Sequence, residues 1–510
     1  MPGAPVTSGT SAVAPTPSRS VSGTKPPVTS GSPLDARSLH ILRRTTFGLS
    51  PELVAEVRGA GGVDVWLQGQ FAPASLPDDV CDQLLTRFPL AFADPPEVFA
   101  RLQNGAWDSM THTVQATFAR QAYSRRQLFE VVVDVFSNHL NITAPSSEPW
   151  ANRAWHDREV VRRHAFGRFE DMLVASMTSP AMMLYLNNAQ STKTAPNENY
   201  GRELLELHTV GVDAGYGQAG VDAAARVMTG VGTWTPWNGG TAANLGTLRY
   251  DASAHAVGPV AVLGWSAANA DASAGLDVVR SLGSYLARHP ATARRVVEKL
   301  VVRFVSDVPP PALVDSLTSV YLQTGTAILP VLKTLFASPE FAAGAGQKCR
   351  RPAEDVLATV RAVGMVCDPF STSGSAIGDL VWELSQMDNA PLGWHPPNGY
   401  PDVADAWSGA GTTLARWNTH MALAGGWYSA GVTFPPLLTR LVGTVLPATR
   451  AALVDALVVA LLPGLDVPAA HRSALVGFLG PDGPLEQGDT TWMFGPLVAL
   501  VLDSPYWSVR

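Results

Sequence analysis

Pro290-Ala291-Thr292-Ala293-Arg294-Arg295-Val296-Val297-Glu298-Lys299-Leu300-Val301-Val302-Arg303-Phe304 is the stretch from which the fold class follows. Val296, Val297, Leu300, Val301 and Phe304 recur at the spacing of one helix face, while Arg294, Arg295, Glu298 and Arg303 lie largely away from it. Pro309-Pro310-Pro311 closes the element, because proline cannot continue a helix, and Leu313 to Tyr321 begins another. The same grammar extends in both directions. Ser50-Pro51-Glu52 is a helix start in which Ser caps, Pro takes the first position and Glu favours the positive end. Ser338-Pro339-Glu340 repeats it, Ser179-Pro180 is a weaker form, and Asp35 can cap a helix carrying Leu39 and Leu42. Period-two alternation is scarce, and the region Thr229 to Trp265 holds the best candidate for a short hairpin. The expected class is therefore mainly α: a large multi-helix globular fold with long Trp/Gly/Pro-rich loops and at most a small β hairpin.

Composition agrees with a folded chain. Of 510 residues, 46% are hydrophobic and 15% charged, which argues against overall disorder. A net charge of −7 gives no basic footprint for nucleic acid. No apolar run approaches the roughly 20 residues of a membrane span. Three cysteines, Cys81, Cys349 and Cys367, form neither a disulfide framework nor a zinc pattern. Residues 1–33 are nearly all Ser, Thr, Pro, Gly, Ala and Val, and read as a disordered tail. Residues 34–345 read as the main helical domain and 346–510 as a C-terminal helical region packed on it. No basic and apolar leader opens the sequence, so the expected compartment as written is cytoplasmic, or the exterior if a leader precedes it.

The densest polar stretch runs from Asn197-Glu198-Asn199-Tyr200-Gly201-Arg202-Glu203 to Leu204-Leu205-Glu206-Leu207-His208. On a regular helix Glu198, Arg202 and Glu206 fall within about 80° of one another, flanked by Asn199 and Glu203. A second polar stretch supplies His139, His156, Asp157, Glu159 and His164. Carboxylates crowded together raise one another's pKa, so one can act as an acid while its neighbour stays ionised. The bland alternative is a solvated face of Glu-Arg pairs, worth a few tenths of a kcal/mol each. Metal ligands on separate helices leave a divalent metal open, but no His-Glu-x-x-His occurs, and a di-iron Glu-x-x-His is not formed by Glu206 and His208. No nucleophile elbow and no nucleotide or flavin motif is present. The loops around Gly230 to Gly240 and Asp388 to Trp407 carry aromatic residues beside His255 and His395, as cleft-lining loops do.

Taken together, Ile41 to Gly48, Asn138-His139, Arg158-Glu159, the segment Asn197 to Thr209, Lys299-Leu300 with Phe304 to Asp307, and Pro396 to Pro401 ahead of Trp407 resemble the bacterial Domain of Unknown Function 1800 family. The resemblance implies a helical protein, often exported, frequently encoded beside a sulfatase-like partner protein. It implies no reaction. The family tends to carry His-Asp where this chain has His255-Ala256, and the leader of exported members is missing here.

Three readings follow. In the first, Glu198, Arg202, Glu203, Glu206, His139, His156 and Asp157 form the catalytic cluster of a hydrolase or lyase acting on an extended polar substrate such as a polysaccharide, with Asn199, His255, Trp394 and His395 binding it. In the second, the cluster is structural and the protein is a scaffold or an assembly or secretion accessory. The third is a metal-dependent oxidoreductase.

Overall fold

A computed structural model describes residues 34–102, 107–367, 375–428 and 431–510. The tail expected over residues 1–33 lies outside the described residues, and Pro33–Arg510 forms one compact unit. Among the described residues there are twenty-five α-helices against three two-stranded antiparallel sheets, so the class is mainly α. None of these helices is long and apolar enough to cross a membrane.

The start signals work through the bonds their chemistry predicts. Asp35 accepts from the Ser38 amide ahead of helix Ala36–Thr45, Ser50 from Leu53 ahead of Pro51–Gly59, and Ser338 from Phe341 ahead of Pro339–Ala343. Ser179 precedes helix Pro180–Tyr185 without a side-chain cap bond, as befits the weaker signal. The region around Thr229 to Trp265 forms two hairpin-like pairs: β1 (Val231–Thr233) with β2 (Leu248–Tyr250), and β3 (Val260–Val262) with β4 (Trp265–Ala267). The third pair, β5 (Val366–Cys367) with β6 (Val432–Thr433), joins segments too distant in sequence for a local turn signal.

Helix Pro290–Phe304 sits at the centre of the main core, with Val297, Leu300, Val301 and Phe304 fully buried. Arg303 departs from the helix-wheel expectation. It is 2% exposed, because the helix is covered on its second side as well, and its guanidinium there meets Glu354 and Asp402. Helix Pro352–Val363 is shared between cores: Val356, Leu357, Val360 and Val363 enter the main one, while Ala358 and Ala362 join a second one with Leu453, Leu457, Leu497 and Val498.

Candidate functional site

Helix Glu198–Glu203 begins at Asn197, whose side chain accepts from the Tyr200 amide, and packs on helix Gln218–Val227. Gly201 makes that approach possible, since a Cβ there would lie 2.7 Å from the Val221 carbonyl oxygen and 2.9 Å from the Ala225 nitrogen. At Leu204 the backbone widens into a π-helical turn, Leu204–His208. Thr209 closes it by donating its hydroxyl to the Leu204 carbonyl at 2.6 Å, and Gly211, at φ +86°, turns the chain away. A second π turn, Asp157–Arg162, follows helix Arg153–His156 and is held by a paired Arg162–Glu130 contact at 2.6 and 2.9 Å. Such turns are rare and recur at functional sites, and both fall on the two polar stretches.

The wider turn splits the predicted constellation into two layers. On the outside, Gln218 donates to Glu198 at 3.0 Å and accepts from Arg202 at 2.9 Å, and Arg202 reaches Glu206 at 3.5 Å. Glu198 and Asn199 are exposed, and Arg202, Glu203 and Glu206 are half-buried. Burial first, and then the charge of Glu206, raise the Glu203 carboxyl above its ordinary pKa against the opposing Arg202. Tyr216, pushed up to about 12 by burial and Glu206, and Tyr185, pushed up to about 12 by burial and Glu203, stand beside the pair.

Beneath lies a buried layer. His139 donates from Nε2 to the His208 carbonyl at 3.0 Å, His156 Nδ1 bonds the Ser179 hydroxyl at 2.8 Å, and Asp157 lies 3.8 Å from Arg120. These three residues and His208 are each at most 2% exposed. His139 Nδ1, His208 Nε2 and Asp157 Oδ1 have no hydrogen-bond partner among the described residues. Burial drives all three histidines towards the neutral form, aided by Lys299 at His139 and His208 and by Arg153 at His156; His208 is lowered to about 3. Lys299 is itself lowered to about 8 by burial and by Arg295.

The loop of Trp394 and His395 meets this cluster. Tyr185 donates its hydroxyl to the His395 carbonyl, Asn141 donates to the carbonyls of Trp394 and Pro396 at 2.8 Å each, and Trp394 Nε1 donates to Asn398 at 2.8 Å. His395 itself is exposed. His255, by contrast, is 2% exposed between the two hairpins. Its Nδ1 donates to the Thr229 carbonyl at 2.9 Å and its Nε2 lies 2.8 Å from Asn269 Oδ1, so both ring nitrogens are occupied away from the Glu203 face. Glu159 lies on the second π segment and pairs with Arg163 at 2.7 Å, while His164 lies two residues past the segment's end.

Sequence reasoning passed over Tyr185, Tyr216, Arg295 and Lys299. Only the last two left a signal, as cations one turn apart on the helix Pro290–Phe304. Among the described residues no group of three or more His, Cys, Asp or Glu is arranged to hold a metal ion. A groove of about 420 Å³ is lined instead by Glu56, Trp66, Leu76 and Arg125. Its polar groups satisfy one another, Arg125 and Trp66 both reaching Glu56 at 3.2 Å.

No curated protein and no solved structure matches the chain. The family model described as a protein of unknown function (DUF1800) matches residues 40–509, nearly the whole chain, and the chain belongs to that family.

Proposed function

We propose that this chain is an enzyme of the hydrolase or lyase type that acts on an extended polar substrate by carboxylate acid–base chemistry. The observation that carries the reading is the pair Glu203 and Glu206 on a half-open face, with the first carboxyl raised by burial and by the charge of the second. In hydrolysis Glu203 donates its proton to the leaving oxygen as the bond to it breaks, while Glu206 takes a proton from the water that forms the new bond. Arg202 holds Glu206 in place. Asn199, Trp394 and His395 line the approach, and His255 fixes the hairpins behind it. His139, His156 and Asp157 support the face from beneath.

The test is turnover on a panel of neutral and acidic polysaccharides, read as new reducing or unsaturated chain ends. Glu203→Gln and Glu206→Gln should each lose at least about 100-fold in rate while melting within about 2 °C of the wild type, since both groups are partly solvated. Variants that keep full activity would sink the reading.

The Glu198–Gln218–Arg202–Glu206 chain of contacts favours a second reading, in which the face only ties two helices together. That reading requires Glu206→Gln to lower the melting point by several degrees. Metal-dependent redox chemistry gains no gathered donor set from the described residues.

A further inference from the structure

Helix Pro290–Phe304 presents Arg295 and Lys299 one turn apart, both half-buried. Neither makes a hydrogen bond or an ion pair with any described residue. The carboxylates that could neutralise them are engaged elsewhere: Glu298 pairs with Arg294 at 3.0 Å, and Glu206 lies against Arg202. Arg295 packs against the chain just beyond the π turn, where a Cβ on Gly211 would lie 2.9 Å from its Nη1, and its Nε is buried without a partner. Behind them stand His208, 1% exposed with Nε2 unpartnered, and His139, whose bond to the His208 carbonyl fixes Nδ1 as a bare acceptor. Like charges at this spacing repel, and burying a cation with no counter-ion is costly, so the arrangement asks for an anion.

We propose that Arg295, Lys299 and His208 Nε2 form a binding site for a compact oxyanion, the carboxylate, sulfate or phosphate group of an acidic substrate. Arg295 and Lys299 supply charge and donors at the open side. The His208 ring supplies an N–H from the buried side, and His139 Nδ1 accepts from a hydroxyl carried next to the anionic group. Burial of Lys299, whose ammonium is held below its ordinary pKa, fits a cation that lacks its partner. Because Tyr216 lies within electrostatic reach of both Glu206 and Arg295, the site would place the charged group of a substrate near the proposed acid–base pair. That last step rests on the acid–base reading; the binding itself does not.

Isothermal titration of the full chain with sodium sulfate, phosphate, acetate and glucuronate, against chloride at constant ionic strength, tests it. At least one oxyanion should bind saturably near one equivalent with Kd in the millimolar range or tighter. The tetrahedral and planar anions separate the sources by their order of affinity. Lys299→Gln and Arg295→Gln should each weaken that binding at least about tenfold. In chloride alone, Lys299→Gln should melt at or above the wild type, since it removes an unpaired buried charge. The proposal is overturned if no anion binds saturably, if Arg295→Gln binds as the wild type does, or if Lys299→Gln melts several degrees lower in chloride. Free anions need no turnover, so failure here leaves the Glu203 and Glu206 assay standing, and failure there leaves this binding measurable.

Discussion

His420, on helix Ala410–Gly425, is 2% exposed between two carboxylates, with Nε2 3.0 Å from Asp355 and Nδ1 2.8 Å from Asp503. Burial alone would lower its pKa, but Asp355 and then Asp503 outweigh it and raise the ring to about 9. The unfolded ring titrates near 6.5, so the imidazolium stabilises the fold fully below that pH, and the contribution fades as pH rises through about 9. A shift of that size corresponds to about 3 kcal/mol. His420→Gln should therefore melt several degrees below the wild type at pH 6, and the gap should narrow by about pH 10. An unchanged gap across that range, measured by thermal melts in matched buffers, would show that the ring is not charged in the fold. Nothing near His420 in sequence announces this role, because its partners lie 65 and 83 positions away. Among the histidines that the sequence does single out, His139 and His156 are conspicuous only through their polar neighbours.

At the level of elements, the legible parts of the fold are those written in local sequence. Asp35, Ser50 and Ser338 each cap within three residues, so the signal and the bond share one short segment. The π turns do not follow from such signals. Leu204–His208 depends on the Thr209 hydroxyl reaching back five residues, and Asp157–Arg162 on Glu130, which belongs to helix Gln127–His139. A regular helix wheel sets the carboxylates around Arg202 but gives no sign of the separate buried layer beneath them. Tyr185 joined the site for the same reason, by a tertiary contact across 210 residues. The close packing of helix Glu198–Glu203 on helix Gln218–Val227 gives an element-scale prediction. A methyl group at Gly201 meets the backbone of helix Gln218–Val227 at two residues, Val221 and Ala225, and backbone cannot rotate away as a side chain can. Gly201→Ala should cost about 1–3 kcal/mol by forcing the helices apart, whereas Asn199→Ala, on the exposed side, should cost less than about 0.5 kcal/mol. Equal melting points for the two variants would mean that the helix–helix contact is looser than the geometry states.

Across the whole molecule, one buried ionic network joins segments on either side of residue 345, where the sequence suggested a change of region. Asp402 takes contacts from Lys348 at 3.2 Å, Arg510 at 3.2 Å and Arg303 at 3.7 Å, while Glu354 lies 3.3 Å from Arg510 and also meets Arg303. Arg303 comes from the central helix of the main core, and Glu354 from the helix shared between the two cores. Burial would raise the Asp402 carboxyl, yet Arg510, Lys348 and Arg303 hold it below the ordinary carboxylate range. Its stabilising charge is thus present at neutral pH and is lost only well into acid. Replacing Asp402 by Asn keeps the shape and strips the charge, leaving Arg303, Lys348 and Arg510 short of counter-ions in the interior. Breaking a buried pair in this way typically costs about 3–5 kcal/mol, more than forming it gains, because the stranded charges stay desolvated. Since the network and the helix Pro352–Val363 tie the two cores together, the wild type should melt in a single calorimetric transition. Asp402→Asn should lower that transition by several degrees at pH 7, with the difference shrinking as the wild-type carboxyl protonates in acid. A variant that melts with the wild type at pH 7 would mean that the network contributes no net stability, and that apolar packing through Pro352–Val363 alone unites the two regions.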